Sequence, residues 1–304
     1  RIVSARESGL RAVAMHGGAL SLYLGILPRQ LFDAAGVPFE LEPRAEQLAV
    51  TIRASFWACV GLLFLWQVVI APGIPTYEKR SSADKVFLAN SFVSLFNAVS
   101  APVLAVLGMR HLPWGDLETN MTSSAGDFAI RAVGVSCGYM LYDTLYCLHY
   151  RELRSPLMIA HHVLPVLFWP YCVLYDRMMP LVLFFVLTEV SNVGQHSRIL
   201  LERFDLKHSR LYAIVGTTWV VIFFLVRIAP SPYLFFELIN ADYSAYSGLE
   251  YGIVFVTAPL PFVLNSYWFY LLVNALSRFL DRKKQVAAQR RADKAAAELL
   301  GKHR

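Results

Sequence analysis

The sequence predicts an all-α integral membrane protein: a bundle of about seven transmembrane helices with an N-terminal interfacial segment and a basic C-terminal tail. Three observations point there. Hydrophobic residues fill 56% of the 304 positions and charged residues only 16%, a balance foreign to soluble domains. The apolar residues come in runs of about 20, the length that crosses a hydrocarbon core of roughly 30 Å. Lys and Arg gather in alternate short loops, as cytosolic loops require.

The runs cover residues 48–71, 86–107, 128–148, 156–175, 180–201, 211–228 and 252–276, punctuated by Pro, Gly and charge. Each is expected to be helical, because lipid offers a backbone amide no partner. The first loop carries Lys79, Arg80 and Lys85, the third Arg151 and Arg154, and the fifth Arg203, Lys207 and Arg210. Even-numbered loops hold few bases and several acids, including Asp116, Glu118, Glu237, Asp242 and Glu250. Odd loops and the tail are therefore read as cytosolic, and the N-terminus as lumenal.

The domain organisation follows. Residues 1–47 form an N-terminal segment in which the weakly apolar, Gly-rich stretch 10–27 is either an interfacial helix or an eighth span. Residues 48–78 hold the first helix and its loop, 79–280 a six-helix unit, and 281–304 the tail. From position 278 onward there are nine Lys or Arg against three Asp or Glu, leaving 19 of each sign elsewhere, so the net charge of +6 lies entirely in this segment. Such a tail suits anionic headgroups, at about 1 kcal/mol per basic residue near the surface. It has no nucleic-acid recognition fold behind it. Cys59, Cys137, Cys147 and Cys172 all fall in spans without a CxxC pair, and read as apolar filler, not as disulfides or metal ligands.

Ionisable groups inside lipid each cost at least about 2.5 to 3.5 kcal/mol, so they mark candidate sites. They are Asp143, His161, His162, Glu189, His196 and Arg227, joined by the polar Asn97, Asn192, Asn265 and Asn274. Helical spacing puts Tyr139, Asp143 and Tyr146 on one stripe and Glu189, Asn192 and His196 on another. His161 and His162 stand about 100° apart and cannot point the same way. The bland alternative is interhelical glue, worth roughly 0.6 to 2 kcal/mol per contact.

Five strings carry a family resemblance: GYMLYDTLYCL around Asp143, MIAHHVLPVL around the His pair, FFVLTEVSN around Glu189, FFLVRIAPSPYLF around Arg227 and LNSYWFYLLVNAL around Trp268. In order and spacing they resemble the TLC domain, the membrane module of ceramide synthases, translocating-chain-associating membrane protein and the ceroid-lipofuscinosis membrane protein. The resemblance implies that His161 and His162, with Asp143, could form an acyl-transfer centre using acyl-CoA as co-substrate. It implies a polar chamber lined by Asn97, Tyr139, Tyr142, Glu189, Asn192, His196, Arg227 and Trp268. Where ceramide synthases have an aspartate-rich run, this chain has TEVSNVGQHSRIL, and Asn97 stands where histidine is frequent. Both departures resemble the TLC-domain proteins that are not ceramide synthases.

Two functions are thus expected as alternatives. One is a protein of membrane lipid homeostasis in the endoplasmic reticulum or another endomembrane, holding a lipid or long-chain acyl group in that chamber without a cofactor. The other is an acyl-CoA-dependent acyltransferase built on the His pair. A di-iron oxygenase would need several HxxxH or HxxHH clusters, and the eight histidines include one adjacent pair.

Overall fold

The computed structural model describes residues 42–112, 120–124 and 126–301, and every regular element among them is helical. The expected interfacial stretch 10–27 lies outside the described residues. Helix α1 spans Pro43–Leu65 and continues through a π-turn, Trp66–Ile70, to Gly73. Helix α2 spans Ser82–Met109, α3 Asp127–His149 and α4 Pro156–Leu174. The next pair, α5 (Met179–Thr188) and α6 (Asn192–Arg203), are separated by a 3₁₀ turn at Glu189–Ser191. Helix α7 spans Arg210–Phe223 and ends in a second π-turn, Phe224–Ile228. Helices α8 (Ser231–Asn240), α9 (Gly248–Thr257) and α10 (Leu260–Gly301) complete the described residues.

Among the described residues, five segments are long and apolar enough to cross a membrane: Pro43–Gly73, Ser82–Met109, Pro156–Leu174, Arg210–Asn240 and Gly248–Val286. The other two expected spans differ for a physical reason. Helix α3 has 23 residues, about 34 Å of rise, but it packs against α1, α2, α4 and α5. Packed on four neighbouring helices, it can carry Ser136, Asp143 and Thr144 away from lipid. The fifth run is broken at Glu189–Ser191, where side-chain contacts to Arg227 replace regular helix geometry. The sixth run extends past its expected end at 228, because Ser231 Oγ donates to Arg227 O at 2.6 Å and starts the next helix.

The outside of the bundle is greasy: Trp57 and Phe64 are each 65% exposed, as lipid-facing side chains are. Inside, Leu48, Ile52, Val133, Cys137, Leu183 and Val186 pack together as the centre. Close approach depends on small residues, the usual means where lipid removes the hydrophobic driving force between helices. A Cβ on Gly138 would lie 2.4 Å from Ile52 O, and one on Gly134 would lie 2.7 Å from Thr51 Cβ. Glycine therefore sets the α1–α3 distance. The four cysteines are all free; Cys59, Cys137 and Cys147 are buried.

The two ends of the bundle are tied by ion pairs. At one end Arg44 grips Asp176 at 2.7 and 3.1 Å, and Arg177 meets Glu250 at 3.1 Å. At the other, Arg203 meets Asp84 at 2.6 Å, and Arg80 pairs with Asp205 and donates to Arg203 O.

Candidate functional site

A cavity of about 520 Å³ opens among α2, α3, α4, α6, α7 and α10. It runs along α10 from Trp268 to Phe279, a rise of about 16 Å. Leu271 and Ala275 line it and are also exposed, so it opens sideways along α10. Nine of the eleven residues expected from sequence stand on its wall: Tyr139, Asp143, His161, His162, Glu189, Asn192, His196, Arg227 and Trp268. Asn97 sits one layer behind, and Tyr142 turns away to stack on Tyr146 at 5.8 Å.

The histidines divide as their 100° offset requires. His162 is buried between helices, its Nδ1 3.2 Å from Asp143 Oδ2. The alignment of that contact is poor, so Nδ1 has no hydrogen-bond partner and Asp143 Oδ1 has none either. Cys147 Sγ donates to Asp143 Oδ2 at 3.5 Å. His161 instead meets Trp268 of α10 edge-on, ring centroids 5.1 Å apart. His196 is buried with Nδ1 unpartnered. Tyr139 closes the wall, its hydroxyl donating to Ser94 Oγ at 2.9 Å.

Glu189 takes a different role from the histidines. It faces Arg227 at 3.6 Å and accepts from Asn192 Nδ2 at 2.8 Å and Asn97 Nδ2 at 3.4 Å. Arg227 donates in turn to Ser191 Oγ at 2.9 Å, Asn265 Oδ1 at 3.0 Å, Thr188 O at 3.0 Å and Asn192 Oδ1 at 3.2 Å. A guanidinium stays charged in the core, so its burial is tolerated only where its charge and N–H donors are met in this way. This cluster is a closed network, whereas the Asp143–histidine side of the cavity is left open.

Behind the network lies a second, mostly apolar cavity of about 110 Å³, lined by residues such as Leu164, Phe168 and Phe185. His161, Glu189, Arg227 and Trp268 border both cavities, so they form the partition between them. No group of three His, Cys, Asp or Glu among the described residues has the geometry to hold a metal ion.

Residues not singled out as site residues from the sequence complete the site. Ser191 holds Arg227 together with Asn265, which the sequence already marks among the polar residues of the spans; both lie within motif strings, but nothing in the strings says which arginine edge each meets. Trp219, whose Nε1 is buried without a partner on the cavity wall, stands in an apolar run that carries no local signal for it.

Comparison with known proteins agrees with this architecture. The family model described as the TLC domain matches residues 88–274. TLC domain-containing protein 4 A of Dictyostelium discoideum is 27% identical over 216 residues, 70% of this chain and 83% of that protein. TLC domain-containing protein 1 of Gallus gallus is 25% identical over 48% of this chain and 57% of its own length. TLC domain-containing protein 4 of Xenopus tropicalis is 23% identical over 50% and 61%. The match runs through the helices that build the cavity, and the chain belongs to the TLC-domain family of membrane proteins.

Proposed function

We propose that the protein binds a lipid or long-chain acyl group in the large cavity and acts in membrane lipid homeostasis. One observation carries the reading: Asp143 Oδ1, His162 Nδ1 and His196 Nδ1 are buried on the cavity wall with no hydrogen-bond partner. An unsatisfied buried polar atom costs about 1 to 3 kcal/mol, more if charged. A polar group of a bound amphiphile, with its chain against the apolar wall, removes that cost. On this reading the endoplasmic reticulum or another endomembrane is the setting, with the basic tail in the cytosol against anionic headgroups. Native mass spectrometry of the protein extracted from membranes tests it. Wild type should retain a lipid, and His162→Ala should lose most of it; an empty wild-type protein would refute the reading.

The second reading is acyl transfer from acyl-CoA, and the 3.2 Å approach of Asp143 to His162 favours it. A carboxylate so placed can orient an imidazole as general base. The chain's own residues would then bind the acyl chain, exclude water and accept a proton at a histidine nitrogen. Incubation with acyl-CoA and a long-chain base or lysolipid decides between the two. Because the acidic run reads TEVSN, no ceramide is expected, and histidine-dependent ceramide would reverse the order of the two readings.

A further inference from the structure

The mouth of the large cavity carries donors that the network around Arg227 does not use. Arg198 stands on that wall, its guanidinium 5.0 Å from the Tyr212 ring and 5.8 Å from the Trp219 ring. Its carboxylate contact is long, 3.5 Å to Glu202. Glu202 does not depend on it: Lys207 donates to Glu202 at 2.7 Å and the Tyr212 hydroxyl at 3.0 Å. Arg198 is thus held by two ring faces and a long contact to Glu202, and a guanidinium with five N–H donors has donors left to meet an anion.

Two further observations point the same way. Trp219 Nε1, a donor with no acceptor of its own, is buried on the same wall. Gly194 lets Trp219 come close, since a Cβ there would lie 2.7 Å from Trp219 Cβ, and Gly216 lies under the Arg198 chain, its Cβ position 3.7 Å from Arg198 Cδ. Depth fits as well. Arg198 is five residues short of the end of α6 at Arg203, about 8 Å along the axis, which on the expected cytosolic placement of the fifth loop is near the boundary between hydrocarbon and headgroups. Glu152, which also lines the cavity, is exposed, where solvent screens its repulsion, and the charge of Glu202, 3.5 Å from Arg198, is already met by Lys207 at 2.7 Å.

We infer that Arg198 and Trp219 form an anion subsite at the cavity mouth that takes the phosphate of a phosphate-bearing amphiphile whose chain enters the cavity. Planar guanidinium is the group best matched to phosphate oxygens, and the indole N–H adds one donor. This deepens the lipid-binding reading and rests on it. The phosphate could belong to a phospholipid headgroup or to coenzyme A; the subsite chemistry is the same.

The test uses the full chain in detergent micelles and three radiolabelled ligands with the same 16-carbon chain: lysophosphatidate, palmitoyl-CoA and monopalmitoylglycerol. At least one phosphate ligand should bind ten-fold or more tighter than monopalmitoylglycerol. Arg198→Gln should erase most of that preference without changing monopalmitoylglycerol binding, and Arg198→Lys should retain part of it. Trp219→Phe, which keeps the ring under the guanidinium, should lose a few-fold. Preference for lysophosphatidate alone assigns a headgroup phosphate, and for palmitoyl-CoA alone a coenzyme phosphate. Equal binding of all three, or an equal loss of all three in Arg198→Gln, overturns the subsite. Binding of none by wild type overturns the lipid-chamber reading itself.

Discussion

Asp143 on α3 and His162 on α4 approach to 3.2 Å across a buried interface, yet their alignment leaves the imidazole Nδ1 and the other carboxylate oxygen without partners. A pair held together but unsatisfied differs from packing glue, which closes its own hydrogen bonds. If a ligand completes it, Asp143 and His162 act as one unit. Asp143→Asn and His162→Ala should each lower lipid retention about ten-fold or more, and the double variant should lose little beyond either single one. A coupling of roughly 1 kcal/mol or more in that cycle is expected for groups in direct contact. Additive losses would mean that the two residues work separately.

Arg227 and Glu189 should matter to the fold first. Arg227→Met strands the Glu189 carboxylate in the core, and breaking a buried pair from one side costs about 3 to 5 kcal/mol. The thermal midpoint of the detergent-solubilised protein should fall sharply. Removing both charges together, as Arg227→Met with Glu189→Met, should cost less than Arg227→Met alone. If the single variant melts with wild type, the network carries no structural load.

Gly138 sets the spacing of α1 and α3. Gly138→Ala forces a Cβ within 2.4 Å of Ile52 O, so the helices must separate or the pair must strain, at a cost of about 1 to 3 kcal/mol by analogy with overpacked cores. Gly61 is the control, because nothing lies within 4 Å of its Cβ position. Gly61→Ala should be neutral or stabilising, given the helix preference for alanine of about 1 kcal/mol. Equal melting behaviour of the two variants would show that the contact yields freely.

Orientation is open to a chemical test. Glycan-acceptor tags beside Ser244 and after Lys302 should differ: the first modified, the second not. The expectation comes from the basic odd loops, whose ion pairs Arg80–Asp205 and Arg203–Asp84 lie together at one end of the bundle. Modification of the tail tag alone would invert the assignment.

The sequence by itself determined the membrane class, the helical content and the short set of residues that lipid does not tolerate. Those are legible because hydropathy and helical period act locally, and because a charge among twenty apolar residues is conspicuous wherever its partner sits. Nine of the eleven expected site residues reach one cavity for that reason. What only the tertiary structure decided is pairing. Spacing put Glu189, Asn192 and His196 on one stripe, but only the approach of α7 assigns Glu189 to Arg227 and leaves His196 facing the cavity with a bare Nδ1. Tyr142 shares a helix with Tyr139 and still turns to Tyr146, outside the cavity wall. Arg198 and Trp219 were unremarkable as residues, since a cation near a helix end and an indole in an apolar run are both common. Their meeting depends on Gly194, where a Cβ would lie 2.7 Å from Trp219 Cβ, so that two helices close to a distance that no local pattern encodes.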